Sequence, residues 1–278
     1  MSANATASTG SSAAIPVRDI HFDLSASPML WHGGSAGVTG FYDALSACFP
    51  LGEAFFIRSV KRGAAEIDDP ALNAAVRGFV GQESVHSREH RAYNKRLSDA
   101  GYDVAAMERA QAKTIKWIEE DLGDDAALGI TACMEHMTSV LAGQITYDEA
   151  YLRDADPAMR ELWVWHAMEE AEHGAVAFDV LAAKRPGYFY RVGLMLLSTW
   201  MLFEIILRNY GLIARTDRAP RALREMLSYL FWSPGFLRRV FFPYLSWYRP
   251  GFHPFQSAAH ERAAAHRAHY DALTRKTA

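Results

Sequence analysis

The stretch "WHAMEEAEHGAVAFD", residues 165–179, decides how this chain folds. It places His166, Glu170 and His173 at positions i, i+4 and i+7, which share one face of an α-helix. The apolar segments "LWVW" before them and "AVAF" after them are typical of a protein core. Buried carboxylates are stable only when they are paired with a cation or bound to a metal ion. The stretch therefore predicts a buried helix with candidate metal ligands on one face; the alternative is a solvated surface helix.

Two further glutamates of the same stretch receive different predictions. Glu169 lies at the edge of the ligand face, where it could hold a metal ligand from outside. Glu172 points away from that face, which predicts a solvated side chain. We therefore expect the first glutamate to support the site and the second to have no part in it.

A second Glu-x-x-His pair, Glu83 and His86, lies in "GQESVHSREH". Single glutamates in apolar surroundings precede the two pairs: Glu53 in "PLGEAFFIRSV" and Glu135 in "ITACMEHMTSVLAG". Glu53 lies 30 residues before Glu83, and Glu135 lies 35 residues before Glu170. Each interval fits half a helix, a short turn and half of the next helix. Two antiparallel helical hairpins would therefore each bring two carboxylates and one imidazole to a common depth.

Four carboxylates and two histidines in a helical core are the ligand set of the ferritin-like di-iron and di-manganese proteins. The sequence therefore predicts an all-α fold: a ferritin-like four-helix bundle with a dinuclear metal site and additional C-terminal helices. Apolar residues recur at intervals of three and four, without an alternating strand pattern. Mixed carboxylate and imidazole ligands suit two iron ions, or manganese, whereas zinc is less natural without thiolates. The predicted helices are residues 38–62, 70–99, 103–121, 125–153, 157–184, 188–213, 219–231, 234–247 and 256–275.

The chain is predicted to hold a short tail and one domain. Residues 1–18 are predicted to be a disordered tail, because "MSANATASTGSSAA" lacks the basic and apolar regions of a signal peptide. Residues 19–278 are predicted to form a single ferritin-like helical domain. The metal-binding bundle would occupy about 38–184, and a C-terminal helical extension about 188–275.

Composition narrows the class of partner. The net charge of −3 offers no basic field for nucleic acid. The two cysteines, Cys48 and Cys133, form no disulfide or metal motif, which fits a cytoplasmic location. The most apolar stretch, residues 192–214, is interrupted by Glu204 and Arg208. We expect it to be a buried helix, or one whose apolar face contacts lipid or a partner, rather than a transmembrane span. Peripheral membrane association and oligomer formation stay open.

The motifs resemble those of the ferritin-like family described as predicted metal-dependent hydrolases. The series that carries the resemblance reads "GEAFF", "GQESVH", "MEHMT" and "WHAMEEAEHGAVAFD" in this chain. The resemblance extends over about residues 20–255, including the late "WYRPGFHPF". It implies a metal-dependent enzyme, although the hydrolase label does not follow from the chemistry of the motifs.

The ligand pattern is also similar to that of di-iron enzymes of the p-aminobenzoate N-oxygenase type, which extend the second motif to His-x-x-x-Glu-x-x-His. His166 supplies that extension here. The similarity implies that Glu83 and Glu170 bridge the metal ions, and these two carboxylates are the predicted catalytic residues. His90 has no place in the pattern and stays open as a support for a ligand, an eighth ligand or a plain core histidine. The implied metal ligands are Glu53, Glu83, His86, Glu135, His166, Glu170 and His173.

The first functional hypothesis is a non-haem di-iron enzyme that activates O₂ to oxidise a small, hydrophobic organic substrate. No flavin or ferredoxin motif accompanies the site, so an external electron donor is expected. The first alternative is a metal-dependent hydrolase with a two-metal-activated water, and the second is a ferritin-like protein that binds iron without catalysis. Residues 188–213 and 226–247 either extend the core or line an apolar channel near a membrane surface, where Arg238 and Arg239 would meet an anionic head group.

Overall fold

The computed structural model of the chain describes residues 15–254 and 259–277, and in them the fold is all-α, as predicted. The one strand-like pairing in this part of the chain is an isolated bridge between His32 and Ala155. The helices are α1 (Ala36–Ser46), α2 (Phe49–Ala64), α3 (Pro70–Asp99), α4 (Val104–Trp117), α5 (Asp124–Tyr147), α6 (Pro157–His173), α7 (Val176–Ala183), α8 (Tyr188–Asp217), α9 (Ala222–Phe231), α10 (Phe236–Leu245) and α11 (Ala259–Thr277).

The single helix predicted for residues 38–62 is wrong, because α1 and α2 replace it with a short break between them. Pro50 in the first turn of α2 has no N–H, so it cannot donate a helical hydrogen bond to the carbonyl of Ser46. The side-chain Nδ2 of Asn94 donates to that carbonyl instead, at 3.0 Å. The break lets α2 start in a new direction, with Glu53 in its second turn.

The single helix predicted for residues 157–184 is also wrong, since α6 ends at His173 and α7 begins three residues later, at Val176. Gly174 lies at the break and weakens the helix locally. It also permits close contact between α6 and α5, because a Cβ atom there would lie 2.9 Å from the Cβ of Ser139. This contact holds the end of α6, and with it His173, against α5.

Asp-Pro pairs start the two helices that carry the Glu-x-x-His motifs. The side chain of Asp69 accepts hydrogen bonds from backbone N–H groups in the first turn of α3, and Asp156 does the same in α6. Pro70 and Pro157 follow them at the first helical position, where the missing N–H has no partner to lose. The same capping device therefore defines the start of both helices.

Four helices, α2, α3, α5 and α6, surround a buried polar cluster that is described below. Separate groups of apolar side chains pack against these helices, one around Trp31, Tyr42 and Trp163 and another around Phe79 and Leu128. Charged groups in such surroundings interact more strongly than they would in water. The fold therefore places the polar cluster in a medium of low dielectric constant.

Residues 15–18, which the sequence assigns to the tail, belong to the packed structure; residues 1–14 lie outside the described residues. Ile15 packs so closely on α3 that a Cβ atom at Gly78 would lie 2.6 Å from the Ile15 Cβ. The side chain of Arg18 is only 2% exposed. The partners that order this segment lie on distant elements, so its local composition could not reveal them.

Within the described residues, α8 is the helix that is long and apolar enough to cross a membrane, judged by length and composition alone. Only 22% of its apolar window is buried, so it is not an enclosed core helix. Its inner face, which includes Met195, Asn209 and Ile213, packs against α1 and α5. Its outer face is left exposed.

An apolar groove of about 610 Å³ lies between α8, α9 and α10 and reaches α1 and α5. The contribution of α5 is Met137, Val140 and Leu141. At about 100° per residue, these three lie on the side of α5 opposite Glu135. No member of the polar cluster lines the groove. The C-terminal helices thus form an apolar groove that α5 separates from the carboxylates.

Asp43 on α1 makes stability depend on pH at a position away from the polar cluster. It accepts hydrogen bonds from the Tyr93 hydroxyl at 2.5 Å and from Trp31 Nε1 at 3.4 Å. Burial raises the pKa of Asp43 to about 7, although these two donors lower it in part. An unfolded aspartate has a pKa of about 4. Between these values the folded state holds a proton that the unfolded state has lost, so this contribution to stability falls as pH rises.

Asp43 is expected to lower the unfolding free energy by at most about 4 kcal/mol as the pH rises from about 4 to about 7. Replacing Asp43 with asparagine is expected to remove this dependence on pH. Urea denaturation across this range would show the unfolding free energy of the variant rising relative to the parent as pH increases. Asp99→Asn, at the exposed end of α3, is the control and should run parallel to the parent. A parallel course for Asp43→Asn would contradict the prediction.

Candidate metal centre

The seven predicted ligands lie together between four helices, and none is more than 4% exposed. α2 contributes one, α3 two, α5 one and α6 three. Glu135 approaches the others through its Oε2, which lies 3.5 Å from Nε2 of His173. The remaining six form two overlapping groups whose ligand atoms lie within 4.8 Å of one another: Glu83, His86, Glu170 and His173, and Glu53, His86 and His166.

The carboxylates of this cluster lack hydrogen-bond donors. Neither oxygen of Glu53, Glu83 or Glu135 has a hydrogen-bond partner of good geometry, and Oε2 of Glu170 has none. Burial raises the pKa of Glu53 well above its ordinary value, and the charge of Glu83 adds to the effect. Burial likewise raises the pKa of Glu83 and Glu135. Buried polar atoms without partners are rare in proteins. These oxygens would be satisfied by cations bound between them.

His166 presents an unprotonated ring nitrogen to Glu170. Ser46 Oγ donates its only hydrogen to Asn94 Oδ1 at 2.8 Å, so it must accept from Nδ1 of His90 at 2.9 Å. Nε2 of His90 is then an acceptor, and Nδ1 of His166, 2.7 Å away, must be its donor. In a neutral ring, Nε2 of His166 therefore has no proton. It faces Oε1 of Glu170 at 3.0 Å, and two acceptors so close require a metal ion or, in its absence, a proton.

Gln82 orients His173 in the same way. Its Nε2 donates to the carbonyl of Pro16 at 2.9 Å and to Oε2 of Glu172 at 3.0 Å. Its Oε1 is therefore the acceptor for Nδ1 of His173, at 2.9 Å. The other nitrogen of the ring, Nε2, is turned into the cluster and lies 3.0 Å from Oε1 of Glu83.

Neighbouring charges decide the protonation of His173 and Glu170 in the metal-free cluster. Burial would lower the pKa of His173, but the charges of Glu135 and Glu170 raise it well above its ordinary value. Burial would raise the pKa of Glu170, but the nearby imidazoles of His166 and His173 hold it well below its ordinary value. A proton on His173 therefore balances part of the carboxylate charge in the metal-free cluster, and metal ions would displace it.

His86 turns its Nδ1 into the cluster, where that atom has no hydrogen-bond partner. Its Nε2 lies 3.0 Å from Oε2 of Glu169, and when Glu169 is ionised this nitrogen carries the ring proton. Burial lowers the pKa of His86 well below its ordinary value, which keeps the ring neutral, as a metal ligand must be. Burial also raises the pKa of Glu169 to about 8, and a hydrogen bond from Arg18 partly opposes this.

The donor set fits metal ions. Three imidazoles are each held from outside through one ring nitrogen and direct the other at carboxylates that lack donors. Such a set of nitrogen and oxygen ligands suits iron or manganese. The geometry thus brings together every residue that the sequence predicted as a ligand, while their binding of metal stays a prediction.

Residues 16–258 match the family described as "Predicted metal-dependent hydrolase". The chain belongs to this family. Comparison with curated proteins and with solved structures gives no match. Membership agrees with the resemblance noted in the motifs and with a metal-dependent enzyme. The description of the family agrees with the hydrolase alternative better than with the oxygen-activating enzyme.

In this member of the predicted metal-dependent hydrolases, Glu172 is buried, and the prediction of a solvated side chain was wrong. It is 7% exposed. Its carboxylate accepts hydrogen bonds from Arg18 Nη1 at 2.7 Å and from Arg267 Nε at 2.6 Å. The face of α6 that points away from the ligands is covered by the N-terminal segment and by α11, so both faces of this helix are internal.

His90 lies beside the cluster, because Ser46 and His166 occupy both of its ring nitrogens. This position suits a residue that supports a ligand. Sequence reasoning named Glu169 and His90 as candidate supports, but it missed the side chains that hold His173, His90 and Glu169. Gln82, which directly precedes Glu83 in the motif, offered a signal by its position. No such signal marks Ser46, Asn94 and Arg18, because they lie outside the motifs and come close to the cluster only when the chain folds.

Replacing His90 with alanine is expected to weaken metal binding by about 10- to 100-fold, the usual effect of losing an outer partner of a ligating histidine. His166 would lose the acceptor that fixes its ring and its tautomer. Titration of the metal-free protein with Fe²⁺ or Mn²⁺ would measure the change. His136→Ala, at a histidine that is also buried but packs among other aromatic rings, is the matched control. Equal affinities for the two variants would refute the role of His90.

Proposed function

We propose that this protein is a dinuclear metal enzyme in which the seven cluster residues hold two metal ions. The observation that carries the proposal is the orientation of the imidazoles: each uses one nitrogen outside the cluster and turns the other toward carboxylate oxygens without donors. Glu170 is suited to bridge, because its Oε1 lies 3.0 Å from Nε2 of His166 and its Oε2 lies 3.6 Å from Nε2 of His173.

Aromatic rings shield the cluster and would exclude bulk water from it. Phe49 packs on the ring of His166 with centroids 4.6 Å apart. Trp165 meets His86 edge-on at 4.8 Å, and α3 contributes a similar ring contact to the third imidazole. These rings keep the ligands in place and keep the local dielectric constant low.

The description of the family makes hydrolysis the first candidate reaction. Two bound metal ions would activate a water molecule and polarise the bond to be broken. Glu83 and Glu170 are the carboxylates we propose as catalytic. The small exposure of the cluster would restrict the substrate to one that reaches it through a narrow passage.

Oxidation with O₂ is a second candidate, and the enclosure of the cluster favours it. O₂ is small and apolar enough to enter a shielded site, whereas a large polar ester is not. The four carboxylates also match the ligand set of ferritin-like di-iron proteins. In this case the substrate would be a small hydrophobic molecule, and the electrons would come from a separate donor.

Metal analysis followed by two assays would separate these candidates. Emission spectroscopy should find about two ions per chain, mainly iron or manganese, if the proposal is correct. Consumption of O₂ by the reduced protein, with a transient visible spectrum, would support oxidation. Cleavage of esters or phosphodiesters without O₂ would support hydrolysis. Two bound iron ions without either activity would support a protein that binds iron without catalysis. Fewer than two metal ions after reconstitution would overturn the proposed dinuclear site.

A further inference from the structure

The outer side of α8 carries a continuous stripe of large apolar side chains. Its members follow one another at intervals of seven, four, three and four residues, which is one face of an α-helix. All are at least half exposed, and the most exposed are Phe189 at 85% and Trp200 at 70%. A stripe of this kind is costly in water and marks a surface that meets another apolar phase. The stripe consists of Phe189, Leu196, Trp200, Phe203 and Leu207.

The next two helices extend this stripe into a wider surface. α9 exposes three apolar residues at intervals of four, and α10 exposes three more near its C-terminal end. The apolar groove opens between the three helices, and Phe203, Leu207, Phe231 and Phe241 belong both to its wall and to the exposed surface. We call this surface the apolar face; besides the stripe of α8 it contains Leu223, Leu227, Phe231, Phe241, Phe242 and Leu245.

The segment that builds the apolar face is basic in a chain that is acidic overall. Residues 188–254 contain nine arginines, no lysine and three acidic residues, while the whole chain has a net charge of −3. Arg191 is enclosed by aromatic rings, and Arg208 and Arg239 pair with carboxylates. Six others are exposed and form no ion pair with the described residues: Arg215, Arg218, Arg221, Arg224, Arg238 and Arg249.

The positive charge favours one class of occupant for the apolar face. Among the unpaired arginines, Arg238 also lines the groove, so a symmetric pair of chains joined at this face would bring two such positive charges into one interface, which is unfavourable. An anionic bilayer offers phosphate groups to the arginines and a hydrocarbon boundary to the aromatic rings, which concentrate at such interfaces. We propose that the apolar face docks on the surface of an anionic phospholipid bilayer.

The packing of α8 makes this docking peripheral. Asn209 Nδ2 donates to the carbonyl of Ala44 on α1 at 3.3 Å. Gly40 of α1 is in contact with Ile213, since a Cβ atom there would lie 3.2 Å from the Ile213 Cγ2. A spanning α8 would have to leave these partners, whereas a helix lying in the interface keeps them. The groove then faces the lipid, and an acyl chain could enter it without crossing water.

Vesicle flotation with the full chain, purified with its metal, tests the proposal. Vesicles of phosphatidylcholine with phosphatidylglycerol should bind the protein, pure phosphatidylcholine should bind it at least about tenfold more weakly, and added NaCl should release it. Trp200→Ala should weaken binding by about tenfold, because the indole loses its place in the interface. Trp117→Ala is the matched control, since Trp117 on α4 is 41% exposed and lies outside the apolar face.

Charge reversal provides an independent arm of the test. The variant Arg238→Glu, at an exposed arginine that also lines the groove, should lose binding to the anionic vesicles by at least about tenfold. Arg77→Glu, at an exposed position of α3, changes the net charge equally and should bind like the parent. All variants should keep the parent's metal content, so a failed dinuclear site and a failed docking surface are distinguishable.

Three outcomes would overturn the proposal. Equal binding to neutral and anionic vesicles would show that the arginines do not contribute to docking. Absence of vesicle binding together with self-association that Trp200→Ala abolishes would assign the apolar face to a second copy of the chain. Retention on vesicles at high salt, with release only by detergent, would indicate that α8 spans the bilayer.

Discussion

Replacing Glu170 with glutamine is expected to lower the metal content from two ions per chain to at most one, and to weaken the remaining site by at least about 100-fold. Loss of an outer partner alone weakens metal binding by about 10- to 100-fold, and Glu170 faces two imidazoles directly. An amide keeps the shape of the side chain but offers one acceptor oxygen and no charge. Emission spectroscopy and metal titration of the purified variant would measure the loss.

The matched control for this variant is Glu149→Gln, which makes the same change at a side chain that is 88% exposed. It should retain the parent's metal content. The glutamine variant at position 170 should still unfold cooperatively, because its volume is unchanged. Full occupancy by two metals in Glu170→Gln would show that this carboxylate is not a bridge.

Replacing Arg18 with alanine is expected to destabilise the fold by about 3–5 kcal/mol, the usual effect of removing one partner from a buried ion pair. The guanidinium donates to Glu169 at 3.0 Å, to Glu172 at 2.7 Å and to Asp271 at 2.7 Å. Without it, two buried carboxylates would lose their principal compensating charge. Urea denaturation would give the change in unfolding free energy.

Arg62→Ala is the control for this prediction. Arg62 also pairs with two carboxylates, but its side chain is 38% exposed and those of Glu119 and Asp124 are 23% and 64% exposed. Exposed ion pairs contribute about 0–1 kcal/mol, so this variant should stay close to the parent. A similar small effect for Arg18→Ala would mean that water can reach and solvate Glu169 and Glu172. Weaker metal binding by Arg18→Ala would show in addition that Glu169 transmits the change to His86.

The ligands could be predicted from the sequence because their arrangement is local. His166, Glu170 and His173 share a face through helical periodicity alone, and the same periodicity joins Glu83 to His86. Neither depends on which helix packs against which. The boundaries set by Asp-Pro pairs are local in the same sense. Helical periodicity was therefore sufficient to predict the all-α fold and the residues of the cluster, because both follow from the pattern within single helices.

What escaped prediction depends on contacts between distant segments. The break before α2 is stable because Asn94 of α3 takes over the carbonyl of Ser46. Glu172 is buried because Arg18 and Arg267 reach it from the two ends of the described chain. The stretch that contains Glu172 shows only a charged residue off the ligand face, for which solvation is the ordinary expectation.

The ion pairs around Arg18 have a consequence for the order of events during biosynthesis. The last predicted metal ligand, His173, leaves the ribosome long before Asp271, which completes the environment of Arg18. Arg18 therefore holds Glu169, and through it the ring of His86, most firmly once α11 has docked. Nascent chains in which α11 has not yet docked should therefore hold metal more weakly than the folded protein.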